Sequence, residues 1–94
     1  MSDYHENPGE LTDRTKDFVR ALHSLREEIE AIDWYQQRVD VTKDEQLKAV
    51  IAHNRDEEIE HACMTLEWLR REMPGWDAEL RTYLFTEKDI TDLE

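Results

Sequence analysis

The sequence predicts an all-α protein: an antiparallel two-helix hairpin plus a short C-terminal helix, dimerising into a four-helix bundle. Three observations carry this. Glycine and proline are scarce, two of each in 94 residues, and both prolines stand next to glycines, at Pro8-Gly9 and Pro74-Gly75. Two long segments free of such breakers repeat apolar residues at steps of three and four, the spacing of a helix with one buried stripe. The stripe of the second segment is polar at its centre, where His53-Asn54-Arg55-Asp56-Glu57-Glu58-Ile59-Glu60-His61 lies.

Composition sets the scale. A chain of this length is one domain, and its apolar fraction of 38% falls below the roughly 45–50% of an ordinary globular domain. Small domains bury little surface to begin with, so burial against a partner chain is expected. Acidic residues outnumber basic ones 24 to 12, for a formal charge of −12 and a pI near 4.6. That balance disfavours nucleic acid and anionic membrane as partners and attracts cations. No apolar run approaches the roughly 20 residues of a membrane span. The start, Met1-Ser2-Asp3-Tyr4-His5-Glu6, lacks the basic region and apolar core of a secretion signal. Cys63 is the sole cysteine, so no intrachain disulfide forms, and a reducing cytoplasmic setting is expected.

The elements follow in order. Residues 1–10 read as a mobile tail or turn, and residues 11–94 as a single half-bundle domain. The first helix is expected over about 11–39, where Leu11, Phe18, Leu22, Leu25, Ile29, Ile32 and Val39 form the stripe. Asp40-Val41-Thr42 is a short connection, and Thr42-x-x-Glu45 fits a capping box at the start of the next helix. So short a link between long helices makes them antiparallel. The second helix is expected over about 43–73, stopped by Pro74-Gly75. Its seam reads Leu47, Ile51, Asn54, Glu58, His61, Thr65, Trp68, beside a stripe that stays apolar through Ile59, Ala62, Leu66, Leu69 and Met73. With two faces to bury and one partner helix in the chain, an oligomer is expected. A third helix is expected over 76–85, with residues 86–94 frayed or extended.

The polar break in the seam carries the chemistry. Glu58-x-x-His61 puts a carboxylate and an imidazole on one face of a helix. Glu28 flanks the first stripe and lies within about a turn of the level of Glu58 across the hairpin, with Tyr35 seven residues further along the same flank. Burying an unpaired carboxylate costs several kcal/mol, so its presence on a seam calls for a bound cation. Carboxylates and imidazole without thiolate suit iron or manganese. One chain offers two carboxylates and one imidazole; two chains offer four and two, which balances two divalent cations at a shared interface. One Glu from one helix with Glu-x-x-His from another is half the ligand set of a di-iron carboxylate bundle.

Three runs resemble the encapsulated ferritins: Glu27-Glu28-x-Glu30-Ala31-x-Asp33-Trp34-Tyr35, the stretch from Ala52 through Glu58-x-Glu60-His61 to Arg71, and Leu80-Arg81-Thr82-Tyr83-Leu84-Phe85-Thr86. The resemblance covers the chain from about residue 18 onward. It implies a homodimer that assembles further into a ring-shaped decamer inside a cytoplasmic encapsulin nanocompartment. It implies a ferroxidase centre in which Glu28, Glu58 and His61 of both subunits hold a di-iron pair and Tyr35 stands close by. Dioxygen would oxidise Fe(II) to Fe(III) there, and manganese, zinc or calcium could stand in place of iron. It further implies an outer metal-attracting site at Glu27, Glu30 and Trp34, with His53 near a symmetry axis. Family members end in a flexible tail bearing an encapsulin-docking peptide; the sequence to Glu94 has none.

Other readings compete. A manganese- or iron-dependent oxidase or peroxidase-like protein would use the same ligands, and a metal-free acidic helical dimer would use none. With Leu22 and Ile29 at heptad position a, Glu27 and Trp34 fall at f and Glu30 at b, an outward face. That face reads either as solvated surface or as an approach to Glu28. Cys63 reads as a small core residue, Trp68 as core packing, and His5 and His23 as surface histidines.

Overall fold

A computed structural model describes residues 4–94. It is all-helical, with no strand among the described residues: α1 (Asp13–Val41), α2 (Glu45–Glu72) and α3 (Trp76–Tyr83), flanked by short 3-10 turns at Pro8–Glu10 and Ile90–Leu93. Residues 1–3 of the expected tail lie outside the described residues. Within the rest of it, the Asn7 side chain accepts a hydrogen bond from the Gly9 amide at 2.9 Å and starts the first turn. The last residues, expected to fray, instead pack their 3-10 turn against α3.

Thr12 caps α1 by accepting from the Thr15 amide at 3.1 Å, which moves the start past Leu11. The expected capping box at Thr42 does not form. α1 runs on to Val41, so Thr42 closes it, and the Thr42 hydroxyl donates back to the Arg38 carbonyl. Asp44 caps α2 instead, accepting from the Leu47 amide at 2.9 Å. Glu45 is then the first residue of α2, too early to reach back as a capping box requires.

The hairpin is antiparallel, and α1 packs on α2 along its length. Phe18 and Trp68 meet edge to face at 6.2 Å; each stands 25 residues from Lys43, the middle of the turn. Arg14 closes the open end by donating to both the Glu72 carbonyl (2.8 Å) and its carboxylate (2.7 Å), satisfying one of the carbonyls that a helix C-terminus leaves unpaired.

Little of this is a closed core. Among the described residues only Leu69 is buried, whereas Ile29, Leu47, Val50, Ile59 and Met64 lie exposed along the helices. The radius of gyration is 17.1 Å, against roughly 12 Å for a compact domain of this length. No helix among the described residues is long and apolar enough to cross a membrane.

α3 rests on half-buried Trp76, Leu80 and Tyr83 and is tied to α2 by a charge network. After the turn at Pro74-Gly75, where Gly75 takes φ +103°, Arg70 bridges Glu67 on its own helix to Asp77 on α3. Arg70 and then Arg71 hold the Glu67 carboxyl down, from 4.5 to about 2. Arg70 and Arg81 lower Asp77 in the same way. Both carboxyls are depressed in the folded state, so the stabilisation they give is present above their unfolded values and is lost as pH falls through the folded ones. Amide hydrogen exchange should therefore show α3 losing protection ahead of α1 and α2 as pH drops from about 4.5 toward 2. Arg70→Met should loosen α3 already at neutral pH. Arg71→Met, which removes a group bonded to Glu67 alone, should leave it intact; equal protection in both variants would show that the bridge does not hold α3.

Candidate metal centre

The seam on α1 runs through Glu28 rather than beside it. Glu28 and Tyr35 are half-buried with Leu22, Leu25, Ile32 and Val39, while the expected seam residue Ile29 is 55% exposed. On α2 the inner seam holds Ile51, Glu58, Ala62, Thr65 and Leu69; Leu47 and His61 turn outward. Glu28 and Glu58 each stand 15 residues from Lys43, so their backbones share one level in the register set by Phe18 and Trp68.

Their carboxylates nevertheless part. Helical side chains lean toward the N-terminus of their own helix, and in an antiparallel pair those directions oppose. Glu28 leans toward the far end of α2, where its Oε1 accepts from the Thr65 hydroxyl at 3.2 Å. Its Oε2 is buried and has no hydrogen-bond partner, the one such side-chain atom among the described residues. Buried carboxylate oxygens are rarely left so.

Glu58 pairs along its own helix, with Oε2 3.8 Å from His61 Nδ1. Glu57, given no site role in the sequence, lies between two imidazoles, 3.2 Å from His53 Nε2 and 3.9 Å from His61 Nε2. Its spacing, four residues from each, was the available signal. Glu27, Glu30 and Trp34 are exposed, and the Arg38 guanidinium lies 5.6 Å from the centre of the Tyr35 ring. Among the described residues no three His, Cys, Asp or Glu side chains converge to hold a metal within one chain. The donor set matches iron or manganese, but one hairpin presents it as two separate parts, Glu28 with Thr65 and Glu58 with His61.

Two expectations need correction. Cys63 is exposed rather than part of a core, because it points to the groove between α2 and α3 lined by Leu66, Leu80, Leu84 and Phe85. His23 is half-buried rather than a surface residue.

The EncFtn-like family model matches residues 3–87. The chain belongs to that family. It is 66% identical over 91 residues to a ferritin-like protein of Thermotoga maritima, covering 97% of this chain and 80% of that one. It is 57% identical over 90 residues to an encapsulated ferritin-like protein of Rhodospirillum rubrum, covering 96% of this chain and 64% of that one, so it spans less than two thirds of the second relative. A crystal structure of a protein from Nitrosomonas europaea superposes with a TM-score of 0.91 at 58% identity, covering 95% of this chain and 98% of that one.

If the family member's open apolar faces and its separated carboxylates and imidazole meet in a dimer, metal should drive assembly. Without cations the carboxylates of two copies would face one another, and like charge with desolvation opposes pairing. On a sizing column, chelator-treated protein should shift to larger species when Fe(II) is added without oxygen. A population already fully assembled and indifferent to metal would remove the cation as the organising element.

Proposed function

We propose that the chain is half of a ferritin-like ferroxidase whose centre forms between two copies. The observation that carries this reading is the buried, unpartnered Oε2 of Glu28 at the level of the Glu58–His61 pair. Consider a second hairpin related by a two-fold axis that crosses the first at this level. The axis reverses the lean of every side chain of the partner, so Glu28 of one copy and the Glu58–His61 pair of the other lean to the same side. Two mixed clusters result, one on each side of the axis. Together they supply four carboxylates and two imidazoles, enough to neutralise two Fe(II) substrates.

Each residue then has a task. Glu28 and Glu58 bring negative charge into a part-buried interface, where it attracts a divalent ion more strongly than it would in water. His61 offers an imidazole nitrogen, and Glu57, 3.2 Å from His53 Nε2, is placed to hold the His53 ring. Tyr35 sits two turns from Glu28 on the same seam. Each Fe(II) gives one electron to dioxygen. The resulting Fe(III) requires more negative charge than four carboxylates supply, so it binds oxygen ligands from water and leaves as a hydrolysed product. Glu27, Glu30 and Trp34 form an outward approach: two exposed carboxylates that gather hydrated cations, and an indole that narrows the way to Glu28.

The encapsulated ferritin-like relative from Rhodospirillum rubrum supports the further reading that the protein works in the cytoplasm inside an encapsulin compartment, to which it hands Fe(III) for storage. A decameric ring of five such dimers would cover the apolar faces that one hairpin exposes.

Ferroxidase activity is tested by adding Fe(II) anaerobically, then air, and following ferric absorbance. Glu58→Ala and His61→Ala should each abolish the rapid phase while far-ultraviolet circular dichroism stays helical; full activity in either variant would remove the proposed centre. Peroxide-dependent turnover without ferric product would favour the peroxidase-like alternative.

The outer residues should govern rate alone. Replacing Glu27 and Glu30 together by Ala should slow the initial phase yet reach the same final ferric product, and Trp34→Gly should alter the initial rate. Progress curves identical to wild type would make that face plain solvated surface.

A further inference from the structure

Thr65 spends its hydroxyl unusually. A threonine has one donor hydrogen, and inside a helix it commonly goes to the carbonyl four residues back. Thr42 and Thr82 do this, donating to the carbonyls of Arg38 and Ala78. Thr65 does not donate to the His61 carbonyl. It reaches across the hairpin to Glu28 Oε1 at 3.2 Å.

We propose that Thr65 is a positioning residue for cation capture: it holds one oxygen of Glu28 so that the other, buried and unpartnered, stays free for the metal. The proposal rests on the reading of Glu28 as a ligand given above.

The chemistry of the donor suits that task. A glutamate side chain has several rotatable bonds, and fixing them costs rotamer freedom at the moment of binding unless something fixes them beforehand. Threonine is β-branched and stiff about its first side-chain bond, so its hydroxyl is a fixed anchor. It is also neutral. The contrast with Glu67 is direct: there Arg70 and Arg71 bind both oxygens and cancel the charge. A hydroxyl orients the Glu28 carboxylate while leaving its charge available to a cation. The alternative is that Thr65 only satisfies a half-buried carboxylate, which would affect stability and not affinity.

Co(II) separates these, because it binds carboxylate–imidazole sites with a visible d–d spectrum and does not undergo the iron reaction. Titrations of the full chain should show Thr65→Val weakening Co(II) binding about tenfold, the lower end of what loss of a group supporting a metal ligand costs, with a changed spectrum. Thr65→Ser, which keeps the hydroxyl, should restore both. In a Glu28→Gln background, Thr65→Val should cause no further loss. Thermal melts of each variant report on folding, and Thr65→Ala repeats the test should the valine prove disruptive. Wild-type Co(II) affinity in Thr65→Val, with Glu28→Gln impaired, would overturn the positioning role and leave the proposed centre standing. Wild-type affinity in Glu28→Gln would overturn both, since Glu28 would then be no ligand.

Discussion

A hairpin of two long helices can bury only the stripe of each that faces the other, and this constraint governs the rest of the structure. α1 and α2 each carry more apolar surface than one neighbour can cover. The result is a slab in which, among the described residues, only Leu69 is buried, with Ile29, Ile59 and Met64 left open. Hydrophobic stabilisation grows with area removed from water, so such a chain has most of its favourable burial still to gain. A second copy with the same open faces is the natural source of it.

The same constraint explains how charge enters an interface. A carboxylate on an inner seam is costly when unpaired, yet Glu28 and Glu58 both occupy inner positions. In one chain the cost is only partly met: Glu28 has Thr65 for one oxygen and nothing for the other, and Glu58 has His61 at 3.8 Å. The opposed lean of side chains in an antiparallel pair keeps these groups from satisfying one another. In the proposed dimer, folding and cation binding would thereby be linked, because the groups that weaken the lone hairpin are those that two hairpins would offer to a metal.

α3 belongs to a different regime. It has few apolar anchors, and its attachment runs through Arg70 and Asp77 in the presence of solvent, where ion pairs are individually weak. Its far end carries Phe85, fully exposed and at φ +60°, in a backbone region that non-glycine residues seldom adopt.

Much of this was legible in the chain itself. The steps of three and four, the breaker pair at Pro74-Gly75 and the short turn determined an all-helical antiparallel hairpin, because helical periodicity and backbone chemistry are local properties. The Glu-x-x-His spacing likewise determined that Glu58 and His61 share a helix face. The capping residue was misread because Thr42 and Asp44 are both competent caps, and the choice depended on where α1 ended. Which residues lie inside was decided only by tertiary packing: Glu28 replaced Ile29 on the seam, and Cys63 came out to a groove that exists only once α3 folds against α2. The Thr65–Glu28 bond spans 37 residues of sequence, and no local pattern encodes it. It arises from the register of two helices and the direction in which their side chains lean, and both are properties of the packed pair.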